Sequence, residues 1–230
     1  MRLLNASDIA LEKAVEGRVI YLLVLIALVQ FGYPITAYGT PALVLYEILY
    51  ASMIVVGVIV GRDSPRHMLV LALSGFVFFA ASLFYAADPT ARWANLLTYL
   101  SLVPYLALLV FILARFLTIM RVITLDVIYA ATANYLLLGA IFVPLYGLLE
   151  FFAPGSIRDS SAPDLPVQWQ QLVYFSYTTL TSSGYGDVLP VSWWARSLAN
   201  LEMVTGMLYV TIVMARLVGL FTSNQGGTER

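Results

Sequence analysis

Six long apolar stretches constrain this chain more than anything else in it. They lie at about residues 18–33 (or a little beyond), 42–60, 68–87, 93–117, 126–152 and 193–221. A helix needs roughly 20 residues to cross the hydrocarbon layer, and a barrel strand only about ten. The runs are too long for barrel strands, so they read as six transmembrane helices. Composition agrees: 61% of the residues are hydrophobic and 11% charged. A soluble domain carries about 25% charged residues, so this chain has too few to cover a water-facing surface. The fold class is all-α membrane protein.

The breaks between the runs are legible. Residues 34–41 form an uncharged turn with two prolines and Gly39, and residues 61–66 (G-R-D-S-P-R) form a charged one. Asp88-Pro89 is a helix stop and restart. Residues 153–166 are a loop rich in proline, serine and aspartate. After it comes a seventh apolar piece, residues 167–181, too short to cross. It reads as a re-entrant helix that dips into the membrane and stops.

Basic residues set the orientation. With six crossings, Arg62, Arg66, Arg115 and Arg121 share one side with Arg2, Lys13, Arg18, Arg216 and Arg230. The opposite loops hold Arg92, Arg158 and Arg196, mixed with Asp88, Asp159, Asp164 and Asp187. Both termini are therefore expected to be cytoplasmic, with the proline-rich loop and the re-entrant helix entering from outside. Residues 3–15 read either as a short amphipathic helix on the inner surface or as a loosely ordered leader. Asn5-Ala6-Ser7 matches a glycosylation acceptor but falls on the cytoplasmic side.

Between the short helix and the last span lies T-L-T-S-S-G-Y-G-D, Thr179 to Asp187. A glycine–aromatic–glycine run makes poor helix and poor strand. Irregular backbone at membrane depth is tolerated only where it is buried in protein or lines a wet cavity. What it offers there is a row of carbonyl oxygens, which can replace the water around a cation. This points to an ion pore. The chain divides accordingly into a cytoplasmic segment (1–17), four peripheral helices (18–125), a pore domain (126–222) and a short cytoplasmic tail (223–230).

Residues 152–220 resemble the pore module of the potassium channel superfamily. The resemblance rests on the aromatic pair Tyr174-Phe175, on Thr179 and Thr181, on Ser182-Ser183-Gly184-Tyr185-Gly186-Asp187, and on Gly206 and Glu202 in the last span. It covers about a third of the chain; the first four spans match the family only in number and placement. It implies a homotetramer in which each subunit gives one loop to a common axis. Carbonyls of Ser182, Ser183, Gly184 and Tyr185 would then ring dehydrated potassium, with the Ser182 hydroxyl completing the innermost ring. Gly184 and Gly186 would supply the alternating backbone. Tyr185 would brace the filter outward, and Asp187 would hold it to the pore helix. Thr178, Thr179, Thr181 and Glu202 would support it from behind.

Two positions depart from the family pattern, since Ser182-Ser183 stands where threonine-valine is usual. The Ser183 hydroxyl needs a partner, for which Thr178 or Thr179 is the candidate, and a looser filter is the consequence if it lacks one. Thr205, Gly206, Val210 and Met214 share a face that can line the lower cavity. Gly206 reads equally as a hinge or as a site of close helix packing.

The fourth span holds no basic residue between Arg92 and Arg115. Moving one charge across the field is worth about 2.3 kcal/mol per 100 mV, and steep gating needs several. Weak or absent voltage dependence is expected. Glu47 is the intramembrane charge of the first half, and a pair with Arg92 is its expected role. Gly57 and Gly61 form G-x-x-x-G, a candidate close helix contact. His67 reads as an ordinary interfacial residue.

Other functions find less support. A net charge of −1 gives no sign of nucleic-acid binding. With no cysteine and one histidine, a transition-metal site is not expected, and no cofactor beyond potassium ions in the filter. Intramembrane charges are too few and scattered for an enzyme. A transporter would show inverted repeats and paired broken helices, and none is found. An intact G-Y-G-D argues against a non-conducting subunit. The expectation is a potassium-selective homotetramer in contact with membrane lipids, in a plasma membrane (a prokaryotic inner membrane by compactness). A poorly selective monovalent cation channel is the alternative. The short tail gives no sign of a cytoplasmic ligand-binding domain.

Overall fold

The computed structural model describes residues 6–88 and 91–225. Asn5, Arg2, Pro89 and Arg230 lie outside the described residues. Among the described residues eight α-helices follow in order: α1 Ala6–Val15, α2 Val19–Gly32, α3 Thr40–Val60, α4 Pro65–Ala87, α5 Arg92–Ile119, α6 Leu125–Phe152, α7 Trp169–Leu180 and α8 Trp193–Gln225. Among the described residues, six helical stretches are long and apolar enough to cross a membrane. The first is α2 continued through a tight 3-10 turn, Tyr33–Tyr38, and it reaches Tyr38.

The helix ends follow local chemistry. Pro41 and Pro65 sit in the first turns of α3 and α4, where a missing N–H costs nothing. Thr124 caps α6 by accepting from the Val127 amide at 3.4 Å. Pro104 and Pro144 lie inside α5 and α6, and both helices run through them.

The core forms where these helices cross. Tyr105, Leu109, Ile112 and Leu113 of α5 are buried in it, and α5 packs against both α4 and α6. Only residues 120–124 join α5 to α6, which pack side by side. A connection that short seats the four-helix bundle on α6 of its own chain. A second cluster holds α6, α7 and α8 together through Phe142, Tyr146, Leu172, Phe175 and Ala199.

Segment 6–15 is helical and does not lie as a separate surface helix. Leu11 and Val15 enter the main core, and Asp8 accepts from Arg115 Nη2 at 2.7 Å. Arg18 Nη1 donates to the Lys13 carbonyl at 2.7 Å and satisfies the end of α1.

One expectation needs correction. Glu47 and Arg92 do not pair: Glu47 accepts from Ser82 Oγ at 3.2 Å, while the Arg92 guanidinium lies 5.2 Å from the Phe151 ring centre. The aromatic face gives Arg92 a partner on α6 instead. The G-x-x-x-G pair serves contacts within the chain: Gly57 admits the Tyr105 ring, whose Oη donates to the Met53 carbonyl at 3.0 Å, and Gly61 faces Leu71. The proline-rich loop is also not all irregular. It contains β1 Ile157–Asp159, antiparallel to β2 Val188–Pro190, with Ile157 opposite Pro190 and Asp159 opposite Val188. Strands of three residues carry no readable alternation.

Candidate ion-conducting site

The site is built on α7. A reciprocal cap starts this helix, with Gln171 Oε1 accepting from the Gln168 amide at 2.7 Å. Its buried face, Leu172, Phe175, Ser176 and Thr179, packs on α6 and α8. At its end the chain folds back on the last turn. The Ser182 amide donates to the Thr179 carbonyl at 2.9 Å, and the Ser183 and Gly184 amides donate to the Thr178 carbonyl at 2.8 and 3.2 Å.

That fold-back sorts the peptide groups. The amides of residues 182–184 are satisfied by α7, while among the described residues nothing donates to the carbonyls of Ser182, Ser183, Gly184 and Tyr185. Backbone carbonyls are obligatory acceptors, so a row of free ones is a resource for a cation. The backbone also alternates. φ is +57° at Ser182, +48° at Gly184 and +81° at Gly186, with no positive φ at Ser183 or Tyr185. In a strand successive peptide groups point to opposite sides; alternating handedness turns them into like orientation. Ser182 holds its positive φ at a cost of roughly 1–2 kcal/mol.

Neighbouring side chains fix this segment. Tyr174 Oη donates to Asp187 Oδ2 at 2.7 Å, and that bond holds the Asp187 carboxyl below the usual carboxylate range. The Tyr174 and Tyr185 rings stack with centres 6.5 Å apart and planes 12° off parallel. Thr178 Oγ1 donates within α7, to Phe175, and Thr179 is buried. The hydroxyl that meets Ser183 Oγ is therefore Thr181 Oγ1, at 3.0 Å, and neither of the two threonine hydroxyls expected; Thr178 contributes its carbonyl instead.

Behind the segment, Glu202 of α8 is fully buried. It accepts from Tyr146 Oη at 2.6 Å and from Ser176 Oγ at 2.5 Å. Ser176 Oγ also lies 2.8 Å from the Gly139 carbonyl. The carboxylate thus joins α6, α7 and α8 at one point. Tyr146 and Ser176 were not singled out by the sequence. A tyrosine in an apolar span and a serine on the buried face of a short helix look like ordinary packing until their partner is placed.

Gly206 packs against the end of α7, where a Cβ would strike the Leu180 carbonyl. Of its two readings, this favours close packing. Thr205 Oγ1 donates to the Leu201 carbonyl of its own helix at 2.7 Å. Val210 and Met214, each a turn further along α8, are exposed in the single chain. Further along α8, Arg216 Nη2 donates to the Thr118 and Met120 carbonyls at 2.8 and 3.0 Å, tying α8 to the end of α5.

Comparison with known proteins falls on this part of the chain. A family model described as an ion channel matches residues 130–223. Among curated proteins, the potassium voltage-gated channel subfamily V member 1 of Rattus norvegicus and of Homo sapiens are each 25% identical over 100 residues. The match covers 44% of this chain and 19% of those proteins, so the chain matches about a fifth of their length. No solved structure matches. These matches point to a channel rather than an enzyme. The chain is a helical, multi-pass membrane protein that carries an ion-channel domain.

Proposed function

We propose that four copies of this chain form a potassium channel, with the carbonyls of Ser182, Ser183, Gly184 and Tyr185 stacked around a shared axis. The observation that carries this reading is the sorting of peptide groups: amides bound to α7, carbonyls free, φ alternating in sign through Gly186. Thr178, Thr179, Thr181, Asp187 and Glu202 hold that geometry, and α7 is a re-entrant pore helix. The potassium channel subunits that match 44% of the chain add support. So does α8, which buries only 11% of its most apolar window within the chain and leaves Val210, Met214 and the rest of a long face for neighbouring copies and lipid. Both termini are cytoplasmic by the distribution of basic residues, and the plasma membrane is the expected location.

Gating by α5 is weak or absent. Its inner arginine, Arg115, is held by Asp8 at 2.7 Å, with Asp63 at 3.9 Å. A second reading, a poorly selective cation channel, draws on Ser183, which leans on an exposed Thr181 hydroxyl where a valine would pack. Bi-ionic reversal potentials in planar bilayers separate the two. Potassium selectivity gives a large shift when sodium replaces potassium on one side. A shift near zero leaves the second reading.

A further inference from the structure

A cavity of about 660 Å³ lies between the peripheral helices and the α6–α7 unit, away from the carbonyl row. Its size is that of a small-molecule site. Tyr46, Tyr50, Tyr85 and Tyr99 line it, together with Glu47 and Gln170. A second hollow runs between α3 and α4 on the outer face of the bundle, past Ile48, Ser52, Val55 and Leu83. Leu43, Glu47 and Ala86 belong to both hollows, so Glu47 stands where the inner cavity meets the lipid-facing groove.

The polar groups of the cavity are unevenly satisfied. The Glu150 oxygens accept from the Gly155 and Ile157 amides at 2.6 and 3.1 Å. Arg92 is engaged with the Phe151 ring. Glu47 accepts a single bond, from Ser82. Gln170 Oε1 is buried with no donor, which costs about 1–3 kcal/mol if left so. What remains open is the Glu47 carboxylate, set beside tyrosine rings. That pairing suits an organic ammonium, which donates to a carboxylate and rests on aromatic faces. An anionic head would meet two carboxylates, Glu47 and Glu150, against one guanidinium, Arg92.

We infer that this cavity takes the head of a single-chain alkylammonium amphiphile from the bilayer, its ammonium on Glu47 and its tail in the groove between α3 and α4. The inference is independent of ion conduction. The test titrates dodecylammonium into the purified full chain in maltoside micelles and follows thermal unfolding by tryptophan fluorescence. A saturable rise in Tm is expected, absent with dodecanol and dodecanoate, and shifted to about tenfold higher concentration in Glu47→Gln. An equal response from Glu47→Gln, or from dodecanol, overturns it. Should Glu47→Gln fail to fold, Val55→Trp, which fills the groove between α3 and α4, carries the test: a several-fold weaker response supports the site, and an unchanged one overturns it. The assay reads binding, so its failure is distinguishable from a failure of potassium conduction.

Discussion

At Gly184 the chain needs φ of +48°, a conformation that costs a side-chain-bearing residue roughly 1–2 kcal/mol. Within the single chain nothing among the described residues lies within 4 Å of a Cβ there, so Gly184→Ala is expected to leave the subunit's fold intact and to abolish conduction by reorienting the peptide groups. Size-exclusion chromatography beside a flux assay checks both halves. Glu202→Ala removes the acceptor shared by Tyr146 and Ser176; Ser176 keeps the Gly139 carbonyl, while the buried Tyr146 hydroxyl loses its acceptor at about 1–3 kcal/mol. A clear fall in Tm is expected, with Glu202→Gln milder because it keeps one oxygen. The glycines were legible in the sequence because their constraint is local to the backbone. The Tyr146–Ser176–Glu202 junction was not, because it joins positions 56 and 26 residues apart that only tertiary packing brings together.

Among elements, the helices were read from length and apolarity, and α4 and α6 fall close to where the sequence put them. The β1–β2 pair was not, since three residues per strand leave no pattern. That pair anchors the proline-rich loop to α7 through Asp159, which accepts from the Ser161 amide at 2.7 Å and from Gln171 Nε2 at 2.5 Å. The Ser161 and Gln171 bonds hold the Asp159 carboxyl below its ordinary value of 3.8. A lowered folded pKa gives stability that is present above the unfolded value and lost as pH falls through the folded one. Proteolytic nicking of residues 157–166 is therefore expected to stay low from neutral pH down to about 4 and to rise below it. Asp159→Ala should show the raised nicking already at neutral pH. For α5, Arg115→Gln should release Asp8 and α1 and lower Tm, with the conductance–voltage curve shallow before and after. A steep wild-type curve that flattens in this variant would reassign α5 as a sensor.

For the whole molecule, the five residues between α5 and α6 seat each bundle on its own chain, and the exposed face of α8 is left for other copies. The expected assembly is a central ring of four pore units with bundles outside. The central claim is that bare carbonyls of residues 182–185, four copies around one axis, replace the water shell of potassium. Potassium uptake into liposomes, with and without barium, for wild type and Gly184→Ala, tests it most directly. The expected result is wild-type uptake that barium blocks and Gly184→Ala lacks. Uptake of equal size in Gly184→Ala, or none in a correctly assembled wild type, would contradict it.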